Sequence, residues 1–306
     1  MSRRVAIIGG NGQLGQDLQR HWKDALPADE VVALSHADIE VANASSVASA
    51  LGQCSPNLVI NTAAYHVVDP IEDNSDRAFA VNTAGVRNVA LACRDLDAVL
   101  VHMSTDYVFS GTSSRPYVEE DPVEPINAYG VSKAAGEMLL RYIWPKHYIV
   151  RTSGLYGLAG SSGKGGNFVE TMLKLAARDA PIRVVDDQVL TPTGTRSLAR
   201  QIAVLADEAA HGTYHATCRG QCSWYEFASE IFRLSAVKPQ LLPQTTRESG
   251  ATARRPRYSV LENRRLGTLG IELMPDWRES LWDYLTVRKD ASEPSPNTRI
   301  DHWTGR

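Results

Sequence analysis

The sequence predicts an α/β protein: a Rossmann-type doubly wound parallel sheet with a smaller C-terminal α/β substrate domain. Three observations predict it. Short apolar runs alternate with helical stretches over the first 150 residues. The first such run stops at a glycine-rich turn that opens a helix. Beyond residue 150 the alternation loses its regularity.

"RVAIIGG" has the short, fully apolar character of a buried parallel strand, and "GQLGQDLQRHW" starts an amphipathic helix. "EVVALSH" reads as a second strand and "ASSVASALGQC" as a helix with Ser45 at its N-cap. "PNLVINTAAY" is a third strand running into a loop of small residues. "SDRAFAVNTAGVRNVALACRDL" is one long helical stretch and "AVLVHMST" a fourth strand. After an irregular segment at 109–127, "YGVSKAAGEMLLRYI" forms a helix and "HYIVRTSGLYG" a strand. Strands joined through helical crossovers pair in parallel. Further on, "GGNFVETMLKLAARD", "RSLARQIAVLADEAA" and "SWYEFASEIFRLS" are helical, "IRVVDD" is a strand, and the Pro- and Arg-rich stretch 237–260 is loop. Residues 1–150, with returning segments near 185–212, are expected to form the first domain, and 151–184 with 213–288 the second. The polar segment 289–306 has the composition of a flexible tail.

With 43% hydrophobic and 22% charged residues in 306, the chain can bury a sizeable core. A net charge of −3 sets up no global field for nucleic acid or an anionic membrane. No apolar stretch approaches the roughly 20 residues that span a bilayer. The run Val5–Ile8 stops at Gly9-Gly10, too short for a signal-peptide core, so a cytoplasmic location is expected. Cys54, Cys93, Cys218 and Cys222 are scattered as in a reduced protein. His211, His215, Cys218 and Cys222 have residue types that suit zinc, but their spacing matches no familiar ligand pattern, and no metal is expected.

Two constellations carry chemistry. Gly9, Gly12 and Gly15 in "GGNGQLGQDL" follow the first strand directly. They suit a tight turn, close approach of a pyrophosphate to backbone, and tight helix–strand packing. At the end of the second strand an acid would favour NAD and an arginine NADP. Ser35 and His36 dictate neither, so the cofactor is NADPH or NADH. Asp38-Ile39 is a candidate pair for the adenine edge, with helix capping by the aspartate as the alternative. The loop "NTAAY" lets the chain pass close to a bound dinucleotide.

The second constellation is Thr105, Tyr129 and Lys133. Thr105 ends the fourth strand, at the carboxyl edge where ligands bind in such sheets. Tyr129 and Lys133 in "YGVSK" stand a turn apart on one helix face. Reducing a carbonyl needs hydride on carbon and a proton on the developing alkoxide. A phenol can supply that proton, and a nearby ammonium, with the positive nicotinamide ring, should lower its pKa. Thr105 can orient the carbonyl oxygen, and Lys133 can also hold the cofactor ribose.

These stretches, together with "INTAAYHVVD", "HMSTDYVFSG", "YVEEDPVEPINAYGVSKAAGE", "IVRTSGLYG", "VVDDQVLTPTGT" and "ARRPRYSVL", resemble the extended short-chain dehydrogenase/reductase family. Within it, the chain is similar to the branch that reduces dTDP-bound 4-keto-6-deoxysugars, and the likeness covers roughly residues 4–285. The resemblance implies NAD(P)H-dependent reduction of a C4 ketone, with the precursor of dTDP-L-rhamnose as the leading substrate. It assigns catalysis to Thr105, Tyr129 and Lys133. It assigns the cofactor to Gly9, Gly12, Gln13, Leu14, Asp38, Ile39, Ala63, Ala64 and Tyr65; Gly15, Ser104, Tyr129 and Lys133 complete the candidate cofactor set.

On the substrate side, with Thr105 and Tyr129, the candidates are Asn167 and Phe168 at the nucleotide or its phosphates. An N-cap role for Asn167 is an equal alternative. Arg254, Arg255 and Arg257 could neutralise a diphosphate, with Arg255 the leading candidate. Glu119-Glu120-Asp121 reads as a solvated loop. Two positions depart from the family pattern: Gly154 stands where an aromatic ring is usual, and "AYHVVDPIED" brings His66 and Pro70. Both fall at the sugar-facing wall and are expected to loosen the choice of hexose. Some relatives bridge subunits through magnesium, which no local acidic cluster here predicts; a homodimer is allowed by the sequence. The alternatives are an epimerase or dehydratase with retained cofactor, or a non-catalytic NADP-binding subunit like the β subunit of methionine adenosyltransferase. Dehydratases usually need an acid pair beside the catalytic threonine, and "STDY" supplies Asp106 without a following glutamate.

Overall fold

The computed structural model describes residues 2–160, 166–178 and 180–292. The N-terminal half runs β1 (Arg4–Ile8), α1 (Gln13–Ala25), β2 (Glu30–Leu34), α2 (Ala44–Cys54), β3 (Leu58–Asn61), α3 (Val68–Asp73), α4 (Asp76–Phe79), α5 (Gly85–Asp95), β4 (Val99–Thr105), α6 (Ala128–Ile143) and β5 (His147–Thr152). The remainder runs β6 (Leu155–Tyr156), α7 (Phe168–Ala176), β7 (Ile182–Val185), β8 (Val189–Leu190), β9 (Thr193–Gly194), α8 (Thr195–Glu208), β10 (Gly212–His215), β11 (Cys222–Ser223), α9 (Trp224–Leu234), β12 (Leu241–Gln244), α10 (Arg264–Leu269) and α11 (Trp277–Ser292).

The main sheet is wholly parallel, in the order β10-β5-β4-β3-β1-β2. From β1 the chain first moves outward to β2, then returns to β3 on the other side. The carboxyl ends of β1 and β3 therefore flank the switch-point crevice where such sheets take ligands. Alternate strand residues feed two cores. Val5, Ile7, Ile60 and Val101 pack with Leu18 and Trp22 of α1 and Leu198 and Ile202 of α8. Ala6, Ile8, Val59 and Leu100 pack with Val47 of α2, Val89 of α5 and Leu140 of α6. Burial on both faces is why these strands read as unbroken apolar runs. A third cluster joins Val169, Met172, Ile182, Phe227, Ile231, Trp277 and Leu281, from α7, β7, α9 and α11. Among the described residues no helix is long and apolar enough to cross a membrane.

Several elements differ from the sequence expectation. The N-cap of α2 is Asn43, whose side chain accepts from the Ser45 and Ser46 amides, so Ser45 is already inside the helix. The long helical stretch at 75–96 is broken by a π turn at Ala80–Ala84. The strand expected through Gly157 stops at Thr152. Gly154 adopts φ +56°, and Leu155–Tyr156 pair with β9 instead of extending the main sheet. The 237–260 stretch contains β12, which pairs with β7. Helix α11 runs through Ser292, past the expected start of the tail at 289; positions 293–306 lie outside the described residues.

Candidate active site

At the end of β1 the Gly9 amide donates to the Leu34 carbonyl at 2.9 Å and the Gly12 amide to Gly9 at 2.9 Å, closing a tight turn with Gly9 at φ +82°. A Cβ on Gly15 would overlap the Gly9 carbonyl and Gly10, so only a glycine lets α1 seat against the turn. The N-cap of α1 is Gly12, which has no side chain to cap with, leaving first-turn amides available to an anion. Gln13 donates through Nε2 to the Leu155 carbonyl (3.3 Å), while its buried Oε1 has no protein partner among the described residues. An open glycine cradle, a helix N-terminus and an orphaned buried amide oxygen together fit a dinucleotide.

The other residues expected at the cofactor divide into two groups. Ala63, Ala64 and Tyr65 follow β3 beside the crevice. The Ala63 amide is held by Asn61 Oδ1 (3.1 Å), and the Tyr65 amide by Asn82 Oδ1 (2.9 Å). Asn82 sits in the π turn and also donates to the Tyr65 carbonyl and to Ser132 Oγ on α6, so this insertion ties the loop after β3 to α6. Leu14 and Ile39, by contrast, are core residues. Asp38 is exposed and its Oδ2 accepts from both the amide and the hydroxyl of Ser35, shaping the β2 loop.

Tyr129 stands in the first turn of α6. Asn127 caps that helix through the Gly130 amide (2.7 Å), and Glu72 of α3 accepts from the Ala128 amide (2.7 Å). Tyr129 is half-buried, and its phenol interacts with the Thr105 hydroxyl. Thr105 Oγ1 donates to Asp106 Oδ1 (3.0 Å) and accepts from the Tyr107 amide (3.2 Å). Asp106 is in turn held by Ser153 Oγ (2.8 Å). Thr105 and Tyr129 thus come together at the carboxyl end of β4, as the sequence predicts.

The expected lowering of the tyrosine pKa is not what the protein's own groups produce. Burial pushes the Tyr129 phenol up, the Thr105 hydrogen bond opposes this, and Asp106 adds to it. Lys133 is itself buried and lowered to about 8, chiefly by desolvation, with Glu137 opposing. Its Nζ donates to the Met103 carbonyl (2.6 Å) and lies 3.4 Å from His102 Nε2. The chain alone therefore keeps Tyr129 protonated, in the form that can donate.

Behind these residues a polar seam runs between β4 and α6. Ser104 and His102 alternate with Met103, so they face α6. Ser104, expected at the cofactor, donates its hydroxyl to Glu137 Oε1 (2.6 Å). Glu137 also accepts from Arg151 Nε (3.0 Å) and Nη2 (2.8 Å) and from Arg141 Nη2 (2.7 Å). These guanidiniums and Ser104 hold its carboxyl below the usual range despite the opposing effect of burial, the largest single influence. Tyr129, Lys133 and Glu137 form an i, i+4, i+8 row. Sequence reasoning stopped at the first two, although the same spacing pointed to the third.

On the substrate side, Asn167 caps α7 by accepting from the Glu170 amide (3.0 Å). Its Nδ2 donates to the Gly157 carbonyl and Tyr284 Oη, so the capping alternative describes it. Phe168 packs on Trp224 and Phe227 in the third core cluster. Arg255 makes a two-pronged pair with Asp69 (Nη1–Oδ1 3.1 Å, Nη2–Oδ2 2.5 Å) and interacts with Tyr107, whose ring meets Tyr129 edge-on at 5.8 Å. Arg254 and Arg257 are exposed. Glu119 corrects the solvated-loop expectation: it is buried and accepts from the His215 and Arg265 amides. His215 Nδ1 meets the Glu262 carbonyl at 3.1 Å, and the His211 ring lies 5.1 Å from Tyr148; no metal-binding group of His, Cys, Asp and Glu forms among the described residues.

The parallel sheet with its glycine turn and Thr–Tyr–Lys edge defines a Rossmann-type fold of the nucleotide-dependent reductases and epimerases. The family described as RmlD substrate binding domain matches residues 3–289, and the chain belongs to it. It is 41% identical to the spore coat polysaccharide biosynthesis protein SpsK of Bacillus subtilis, over 95% of this chain and 99% of that one. It is 38% identical to a dTDP-4-dehydrorhamnose reductase of Streptomyces griseus, over 97% and 98% respectively. Among solved structures it superposes with TM-score 0.89 on the dTDP-4-dehydrorhamnose reductase of Bacillus anthracis in complex with NADP, at 39% identity, covering 94% of this chain and 100% of the other.

Proposed function

We infer that the chain reduces the C4 ketone of a dTDP-4-keto-6-deoxyhexose with NADPH or NADH, the precursor of dTDP-L-rhamnose being the leading substrate. The observation that carries this is the Tyr129 phenol, half-buried, kept protonated and set beside Thr105 at the carboxyl end of β4, across β3 from the Gly9 turn. The relatives' names and the NADP-bound neighbour support it.

When bound, the reduced nicotinamide supplies the hydride. The Gly9–Gly15 turn and the amides of α1 hold its pyrophosphate, and the loop Ala63–Tyr65 borders it. Thr105 orients the ketone oxygen, and Tyr129 delivers its proton to that oxygen as charge develops there. Lys133 holds the ribose and, when charged, favours the phenolate left behind. The sheet domain takes the dinucleotide, and the unit built on α7, α9 and α11 takes the sugar nucleotide. Arg255 acts there by holding Tyr107 against Tyr129, while bound to Asp69. Gly154 opens the sugar wall: its φ of +56° disfavours side chains, and a Cβ would meet Leu190 Cδ1 at 2.9 Å. We place the reaction in the cytoplasm, in keeping with free cysteines at 54, 93, 218 and 222.

The test is a panel of dTDP-4-keto-6-deoxyhexoses, each offered with both reduced nicotinamides. Ketone-dependent oxidation of the nicotinamide is expected, with more than one hexose accepted. Dinucleotide binding without turnover on any sugar would convert the reading to a binding subunit.

A further inference from the structure

Lys133 Nζ has two polar neighbours on β4, and they ask different things of it. The Met103 carbonyl at 2.6 Å accepts a hydrogen bond from either an amine or an ammonium. His102 Nε2 at 3.4 Å accepts from an ammonium only if that nitrogen carries no hydrogen. Asn61 settles which tautomer His102 adopts. The Ala63 amide can only donate, so the atom it meets at 3.1 Å is the Asn61 oxygen, and the Asn61 amide group therefore faces His102 Nδ1, 3.4 Å away. With Nδ1 accepting, the hydrogen of the neutral ring sits on Nε2. His102 is fully buried and its pKa lies well below the ordinary 6.5, through burial first and then Lys133 and His147, so it does not become a cation. An Nε2–H group aimed at Lys133 is satisfied by an amine lone pair and repels an ammonium.

We propose that His102 is a positioning residue that biases Lys133 towards the neutral amine, and that binding of the dinucleotide draws a proton from solvent onto whatever fraction of Lys133 is uncharged. This rests on the cofactor assignment above and extends it to a linkage between binding and protonation. The groups around the lysine agree. Glu137, a turn along α6, is the nearby anion, but it is already bracketed by Arg151 of β5 and Arg141, so the local balance is positive. Tyr129, a turn back, is protonated, and the π turn contributes the uncharged Asn82 and Thr83, which bond Ser132. The anionic pyrophosphate and the ribose hydroxyl acceptors reverse this balance and favour the ammonium. The lysine's value of about 8 places the effect in mildly alkaline solution. The new N–H bond uses the amine lone pair and a proton released by buffer, with no change of oxidation state.

The experiment is calorimetric titration of the intact chain with NADPH in two buffers of different ionisation enthalpy. The difference in apparent binding enthalpy reports protons taken up. At about pH 8 roughly half a proton per site is expected, falling to about a tenth at pH 7, where most of the lysine already carries its charge. His102→Leu removes the Nε2–H donor, so uptake at the alkaline pH should fall by about half or more. His102→Gln, which can still donate, should recover part of it. Lys133→Gln should abolish uptake while NADPH still binds. Buffer-independent heats for the wild type at about pH 8 overturn the proposal, as does wild-type uptake retained in Lys133→Gln or in His102→Leu. Absence of any binding heat would instead bring down the cofactor assignment and the proposal with it.

Discussion

The glycine turn after β1 and the polar seam between β4 and α6 serve one site but are built in opposite ways. The turn is made of backbone: its geometry comes from residues within one stretch, Gly9 to Gly15, bonded mostly to one another and to Leu34. The seam is made of side chains from four separated segments. Asn61, His102, Lys133, Glu137 and Arg151 come from β3, β4, α6 and β5. The first leaves open space by removing side chains, the second fixes Lys133 by packing polar groups where an apolar core would otherwise close. A local backbone device leaves a local pattern in the sequence; a network assembled by the fold does not.

Replacing Tyr129 by Phe tests the seam's product without disturbing the turn. Turnover should fall by about 10²–10⁴-fold, the usual worth of a positioned proton donor, with NADPH affinity changed less than about threefold. Steady-state rates and dinucleotide titration report the two quantities separately, and a near-wild-type rate would remove Tyr129 from its role.

Gly15→Val attacks the turn alone. Its side chain has no room beside the Gly9 carbonyl, so dinucleotide affinity should drop by at least ~10-fold, with a stability loss of about 1–3 kcal/mol from overpacking. Unchanged affinity would show that the turn is not the pyrophosphate cradle.

Glu137→Gln attacks the seam from behind. It strips the anion from two guanidiniums, one fully buried, and a loss of about 3–5 kcal/mol in chemical denaturation is expected. The carboxylate lies below its ordinary value in the folded state, so its stabilisation is present above the unfolded pKa and is lost as pH falls through the folded one. The Gln variant should therefore lack this part of the wild type's acid sensitivity.

Asn127→Ala is the mildest test. Losing the cap on α6 should cost about 1 kcal/mol and a modest part of kcat, because Tyr129 sits in the turn that the cap orders. A larger effect on kcat than on stability would mark Asn127 as aiming the phenol.

The main sheet was legible because burial on both faces of β1, β3 and β4 writes continuous apolar runs, and because the glycine spacing is chemically demanding. Thr105 and Tyr129 were legible for the same reason: one ends a strand, the other opens a helix. Asn82, Glu72 and Glu119 were not. An asparagine inside a helical stretch gives no sign that a π turn will present it to Tyr65. Glu72 reads as another surface acid until α3 is seen to reach the start of α6. Glu119 sits in an acidic run, yet the fold buries it against the His215 and Arg265 amides while Glu120 pairs with Arg265 at the surface. Arg255 was read by its charge alone, whereas its partner Asp69 lies 186 residues away.

The destination of the hydride tests the proposed reduction most directly. NADPH deuterated at the transferring position, mixed with the chain and a dTDP-4-keto-6-deoxyhexose, should yield a sugar carrying deuterium at C4, seen by NMR of the product. A sugar isomerised or dehydrated without label, or label that never leaves the nicotinamide, would contradict it.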